Sequence, residues 1–210
     1  MVRVALLAGG DYSPPIGDFD LYVGIDRGAI RLLEKGFPLD WAVGDFDSIS
    51  DDERNRVASS GAKVYSSSSE KNDTDTELAL KHVFAEMPTA QTTVFGVFGG
   101  RVDHLLSNIF LPSDPELAPF MEQIHLVDET NHVSYLPKGQ HILRLQAGMS
   151  YFSLMTSDNA DLTIQGAKYD LTSANFFKKK IYSSNETLGQ PITITAPSGY
   201  VVLVETKDRR

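Results

Sequence analysis

The feature that most constrains this chain is a change of hydrophobic period partway along it. Up to residue 128, short apolar runs alternate with helical patterns; after Asn131 the helical period disappears. Residues 2–8, 21–25, 41–43, 62–65, 92–98 and 123–127 read as strands, and 28–35, 51–60, 75–86 and 103–111 as helices. The third helix carries Leu80, Val83, Phe84 and Met87 at i, i+3, i+4, i+7 spacing, the mark of one buried face. Strands alternating with helices predict a three-layer α/β domain whose mostly parallel sheet is covered on both faces.

Beyond that point, residues 141–146, 149–155, 161–165, 192–196 and 200–205 are short, β-rich runs. Pro137-Lys138-Gly139, Gln146-Ala147-Gly148, Ser157-Asp158-Asn159 and Pro197-Ser198-Gly199 punctuate them as turns. Ile192-Thr193-Ile194-Thr195 alternates strictly, as a strand with one buried face does. This spacing predicts an all-β unit, a β-sandwich. The division falls at residue 131, giving an α/β domain over 1–131 and a β-sandwich over 132–210.

A length of 210 residues allows either unit a real core. Cysteine is absent, which excludes disulfides and thiolate metal sites. Apolar stretches are too short to span a bilayer, and the run Val4-Ala5-Leu6-Leu7-Ala8 is too short for a signal peptide. A cytoplasmic protein without membrane partners is expected. A net charge of −9 argues against general nucleic-acid binding, which needs a basic face.

The acidic residues are unevenly placed. Gly44-Asp45-Phe46-Asp47-Ser48 follows the strand at 41–43 and precedes the helix start Ser50-Asp51-Asp52-Glu53. Two carboxylates this close repel unless a cation lies between them, which points to Mg²⁺. An Asp-rich turn bonding its own backbone would use the same residues. Asp51, Asp52 and Glu53 sit in a helix first turn, where the dipole favours them.

Lys71-Asn72-Asp73-Thr74-Asp75-Thr76-Glu77 opens the third helix. Thr74 with Glu77 matches a capping box. The same helix start offers N–H groups to phosphate, Lys71 adds a cation, and Asp75 offers a carboxylate to a metal. Gly99-Gly100-Arg101-Val102-Asp103-His104 follows the strand at 92–98. Its glycines permit close backbone approach, and Arg101 can fork onto phosphate. Gly9-Gly10-Asp11 and Asp26-Arg27-Gly28 follow the first two strands. In a parallel sheet all these strand ends share one edge, so a metal–polyphosphate site is expected there.

In this order, the segments resemble those of thiamine pyrophosphokinases over nearly the whole chain. Gly44 to Ser48 is similar to that family's Asp-x-Asp-Ser signature, Lys71 to Glu77 to its Lys-Asp-x-Thr-Asp-x-Glu segment, and Gly99 to His104 to its Gly-Gly-Arg-x-Asp-His segment. In the second half, Gly166-Ala167-Lys168-Tyr169-Asp170-Leu171 and Ser183-Ser184-Asn185-Glu186 resemble two further family marks. Asn72 departs from the pattern, keeping a carbonyl oxygen but losing a charge.

The resemblance implies an enzyme that transfers a pyrophosphoryl group from ATP to thiamine, with AMP as the other product. It implies Asp45, Asp47 and Asp75 as catalytic, Mg²⁺-binding residues. Gly9, Gly10, Asp26, Ser48, Lys71, Thr74, Arg101, Asp103 and His104 would lie at the nucleotide, and Ser184 and Asn185 at thiamine. It further implies a homodimer with shared active sites. A Mg²⁺-dependent nucleotide phosphohydrolase and a non-catalytic nucleotide sensor stay open as alternatives. No Ser or His stands in an evident nucleophile–base arrangement, so direct transfer without a covalent enzyme intermediate is expected.

Overall fold

The computed structural model describes every residue except Tyr12, 67–72, Asn159, Ala160 and Arg210. The chain divides into Met1–Asp128 and Glu129–Arg210. The division lies slightly before residue 131, because Asn131 already opens the first strand of the second unit.

In the first unit, strands β1 (Arg3–Leu7), β2 (Leu21–Ile25), β3 (Trp41–Gly44), β4 (Lys63–Ser66), β5 (Gln91–Phe95) and β6 (Ile124–Val127) line up in the order β6-β5-β1-β2-β3-β4. Every recorded pairing among them is parallel. Both faces are covered, as the sequence predicts. Ala5 and Leu7 of β1 pack into one cluster with Ala29, Ile30 and Leu32, while Val4 and Leu6, which point the other way, are fully buried too. Helices α1 (Arg27–Glu34) and α2 (Asp51–Ser59) contribute to that cluster. Helix α3 (Asp75–Glu86) buries Ala79, Leu80, Val83 and Phe84, close to the predicted stripe. Helix α4 (Val102–Ile109) follows β5, and two short 3-10 turns lead to β6. Strand β5 ends at Phe95, earlier than residue 98, because Gly96 turns the chain with a φ of 68°.

Since β1 to β4 extend to one side and β5 and β6 to the other, the order reverses between β1 and β5. Loops after those strands diverge there and leave a crevice at the carboxyl edge. No helix among the described residues is long and apolar enough to cross a membrane.

The second unit contains β7 (Asn131–Leu143), β8 (Tyr151–Thr156), β9 (Thr163–Gln165), β10 (Ile181–Asn185) and β11 (Ile192–Thr206), all antiparallel where paired. Two expected turns are not turns. Pro137-Lys138-Gly139 lies inside β7, and Pro197-Ser198-Gly199 inside β11. They face each other, with Ala196 opposite Gly139 and Tyr200 opposite Pro137, and the register shifts between them. The proline and glycine signals mark a bulge in a long strand pair, where ladder bonds can be dispensed with. Residues before the bulge in β11 pair with β9, and those after it with β8. One strand thus serves two layers, and Ile164, Ile192 and Ile194 meet Phe152, Leu154 and Leu203 in a common core. Strand β10 is absent from the sequence reading because Ser183 and Ser184 disguise it as a loop.

A buried carboxylate ties this core together. Glu205, 2% exposed, pairs with His132 Nδ1 at 3.1 Å and accepts from the Gln146 N–H at 2.6 Å. Glu205→Ala leaves that N–H without its acceptor and is expected to cost about 3 kcal/mol, read from urea unfolding midpoints. A loss below about 1 kcal/mol would show the network to be dispensable.

Candidate active site

The carboxyl edge of the parallel sheet is built from backbone that few side chains tolerate. Past β1, the Ala8 and Gly10 N–H groups donate to Phe95 and Gly96 carbonyls at 2.8 Å, binding the two loops at the order reversal. A Cβ on Gly10 would stand 2.4 Å from the Gly96 carbonyl oxygen, so only glycine permits this approach. The Arg31 guanidinium, from α1, donates to the Gly10 carbonyl. Between these loops and the starts of α3 and α4 lies a cavity of about 370 Å³.

Of the residues expected at the nucleotide, Gly9, Gly10, Asp26, Ser48, Thr74, Arg101 and His104 line this cavity, together with Asp75 of the expected metal-binding residues. The sheet therefore brings together side chains from four separate strand ends. Lys71 lies outside the described residues. Thr74 and Glu77 form the predicted capping box, with Thr74 N–H to Glu77 Oε2 at 2.7 Å and Glu77 N–H to Thr74 Oγ1 at 3.2 Å. That cap sets Asp75 as the first helical residue of α3.

Asp26 is a strongly perturbed group in this cavity. Its φ of 47° and ψ of −120° suit glycine rather than aspartate, and its Oδ1 is buried with no hydrogen-bond partner. Burial, then the Asp75 carboxylate, and more weakly Asp45, push its carboxyl up to about 7, while the Phe46 backbone N–H opposes the shift. Crowded acidic oxygens with an unmet lone pair are a donor set suited to a hard divalent cation. The grouping differs from the expected one. Asp26 meets Asp75, with Asp45 nearby, whereas Asp47 is exposed and its N–H donates to Asp45 Oδ1 at 3.1 Å. Among the described residues, no three acidic or histidine side chains form a preassembled metal cluster.

Backbone strain falls in two of these segments and in β10 of the second unit. Asp26, Phe46 and Ser184 are the non-glycine residues with positive φ among those described. Such conformers cost about 1–3 kcal/mol each and persist only where the surroundings enforce them. For Phe46 the enforcement is visible: its ring is buried in the core, and Arg54 Nη2 donates to its carbonyl at 2.8 Å.

At the start of α4, Arg101, the residue before the helix, and Asp103 pair with each other. Arg101 Nε reaches Asp103 Oδ1 at 3.1 Å and Nη2 reaches Oδ2 at 2.6 Å. The Asp103 carboxyl is held below its ordinary range by that guanidinium. Asp103 is exposed and outside the cavity lining; it orients Arg101 on the rim. Sequence reasoning missed Asn108, which is buried, lines the cavity, and places Nδ2 3.4 Å from the Val97 carbonyl oxygen. The signal was present: Arg101, His104 and Asn108 are spaced three and four residues apart, on one helix face. Arg27 and Thr76 also line the cavity, and neither is among the expected site residues.

Ser184 and Asn185 belong to the second unit, in β10 rather than a polar loop. A second cavity, of about 570 Å³, has Asn185, Tyr169, Phe177 and Tyr182 in its wall. The Asn185 amide is largely engaged: Oδ1 accepts from Tyr169 N–H at 3.0 Å and Glu186 N–H at 2.9 Å, and Nδ2 donates to the Tyr169 carbonyl at 2.8 Å. It clamps the Tyr169 backbone, and most of its capacity is unavailable to a ligand. Ser184 is exposed, and its N–H donates to Ser153 Oγ at 3.1 Å.

Residues 16–117 match the family model for the thiamin pyrophosphokinase catalytic domain. Residues 123–201 match the model for the vitamin B1 binding domain of the same family. The chain is 29% identical over 217 residues to the thiamine pyrophosphokinase of Bacillus subtilis, covering 99% of this chain and all of that protein. Its structure is similar to that of a thiamin pyrophosphokinase family protein from Enterococcus faecalis, with a TM-score of 0.92 at 36% identity over 99% of this chain and 100% of the other. The crystal structure of the Bacillus subtilis enzyme gives a TM-score of 0.80 at 29% identity, over 99% and 100% of the respective chains. Matched along both of its units, this chain belongs to the thiamin pyrophosphokinase family.

Proposed function

We propose that the protein is a thiamine diphosphokinase, transferring the pyrophosphoryl group of ATP to the hydroxyl of thiamine. The observation that carries this reading is family membership along both units, joined to a cavity lined by glycine loops, an arginine and crowded carboxylates. The thiamine hydroxyl oxygen forms a bond to the β-phosphorus of ATP. The bond from that phosphorus to the oxygen bridging to the α-phosphate breaks, AMP leaves with that oxygen, and the hydroxyl proton is released. Asp26, Asp45 and Asp75 would hold Mg²⁺, which when bound offsets polyphosphate charge and polarises the phosphoryl group.

The chain's own residues supply positioning, the main contribution a protein makes to such transfers. Gly9, Gly10, Gly99 and Gly100 let backbone approach the phosphates, the starts of α3 and α4 direct N–H groups at them, and Arg101 clamps an oxygen pair on leaving Asp103. The test is incubation of the purified protein with ATP and Mg²⁺, with and without thiamine, following AMP. AMP equal to thiamine diphosphate, and dependent on thiamine, is expected. Thiamine-independent AMP release would favour a phosphohydrolase, and no release a sensor.

Asp47 is assigned to the polyphosphate side of the site, as the second carboxylate of the signature. Asp47→Asn is expected to lower kcat at least about tenfold, and Asp51→Asn, in the first turn of α2, to change it less than about twofold. Equal losses would remove the distinction.

The second unit is assigned to thiamine, and a second copy of the chain to completing each site. Exposed Tyr169, Phe177 and Ile181 around the second cavity support this, being apolar surface that a partner would cover. Asn185→Ala should raise the KM for thiamine about tenfold while leaving that for ATP unchanged, by freeing the Tyr169 backbone. Mixing impaired Asp75→Asn with impaired Asn185→Ala under subunit exchange should raise activity above that of either variant alone. Proven heterodimers without recovery would show that sites are not shared.

A further inference from the structure

We propose that Lys81 is a positioning residue for the nucleotide and cation site, acting through Asp73 on Asp75; this rests on the role proposed above for Asp75. Lys81 lies on α3, away from the cavity lining, and its side chain is 17% exposed. Its ammonium meets three carboxylates: Asp73 at 2.9 Å, Asp114 at 2.8 Å and Glu116 at 2.7 Å. An ammonium has three donors, so each arm is used once. Burial works against the Lys81 charge, but Asp114, Glu116 and Asp73 together outweigh it and hold the group above its ordinary range.

The arms do different work. Asp114 and Glu116 follow α4 in the chain, and they anchor α3 to that segment together with the Phe84–Phe120 stack, whose centroids are 4.4 Å apart. Those contacts suffice to dock the helix. Asp73 adds a different constraint, because it immediately precedes the Thr74 cap. The capping box fixes Thr74 to Glu77 but leaves open the direction from which the chain arrives. A contact from the residue before the cap to one further along the helix sets that angle, as a hydrophobic staple does. Here the contact is ionic, from Asp73 to Lys81. The backbone carrying Asp75 is thereby held on both sides, and Asp75 is the carboxylate that acts on Asp26.

The test uses the full-length protein and steady-state rates of thiamine diphosphate formation over a range of Mg²⁺ and ATP concentrations, with melting temperatures alongside. Asp73→Asn is the key variant, since Asp114 and Glu116 still hold Lys81. It is expected to raise half-saturating Mg²⁺ about tenfold, with kcat at saturation within about twofold and the melting temperature unchanged. Asp114→Asn should lower the melting temperature and leave the Mg²⁺ dependence as in the parent. Lys81→Met should show both effects, and Lys81→Arg should recover the Mg²⁺ dependence. An unchanged Mg²⁺ dependence in Asp73→Asn, or an equal shift in Asp114→Asn, would overturn the positioning role. Asp75→Asn separates the two readings: if it too leaves Mg²⁺ dependence unchanged, the assignment of Asp75 fails, whereas a shift there but not in Asp73→Asn refutes Lys81 alone.

Discussion

Asp26→Asn is expected to raise the melting temperature of the ligand-free protein while lowering turnover at least about a hundredfold. The two effects share one cause. Asp26 is held in a glycine-like conformation, its Oδ1 lacks a partner, and its carboxyl is raised from 3.8 to about 7. A raised carboxyl pKa means that the folded state retains a proton which the unfolded chain has released. Its contribution to stability is therefore fully present below about pH 3.8 and is lost as pH rises through about 7. The ligand-free parent should lose melting temperature across that window, and Asp26→Asn should flatten the loss, because an amide has no charge to desolvate. Added Mg²⁺ with nucleotide should stabilise the parent more at pH 8 than at pH 6, and the variant little at either. Calorimetry over this pH range reads both. A variant that melts lower than its parent at pH 8, or one that keeps parental turnover, would contradict the assignment. Here function is maintained at the expense of stability, a trade common at charged sites.

Gly44→Ala should be nearly as damaging, for a steric reason. Gly44 closes β3 with a φ of 144°, which side chains rarely adopt, and a Cβ there would stand 1.9 Å from Asp26 Oδ1. Either the strand end or the Asp26 carboxylate must shift, and a displacement near 1 Å at a reacting centre costs about a hundredfold in rate. Backbone strain should add at least about 1 kcal/mol of lost stability. Repeating Gly44→Ala in an Asp26→Ala background separates the contributions. The clash disappears there, so the stability loss should shrink, and the two substitutions should not add. Additive losses would show that the glycine is needed for its dihedral angle alone.

Much of this could be read from residue order. The period of 3.6 in the first half and of 2 in the second specifies α/β and all-β units, because periodicity reflects which side of an element faces a core. The Thr74–Glu77 and Ser50–Glu53 capping boxes mark the true starts of α3 and α2, because a cap is a local interaction over four residues. Once the first half is read as a parallel sheet, it follows that glycines, aspartates and Arg101 gather along one edge.

Other features depend on partners distant in sequence. Pro137-Lys138-Gly139 and Pro197-Ser198-Gly199 each look like a turn, and only their apposition makes them a bulge within two long strands. Asp45 and Asp47 are equivalent in the signature, yet β2 lies beside β3, so Asp26 and Asp75 share the electrostatics with Asp45 while Asp47 faces solvent. Asn185 has the chemistry of a ligand contact, but the neighbouring Tyr169 backbone takes most of its amide. By itself, the sequence determined the two fold classes, the helix starts and most of the residues at the carboxyl edge, since these follow from short-range pattern and from parallel topology. Tertiary structure alone decided which carboxylates crowd together, which side chains are consumed by the backbone and how the strands bend, because burial and unlike neighbours set charge and hydrogen-bonding state, and both are properties of packing.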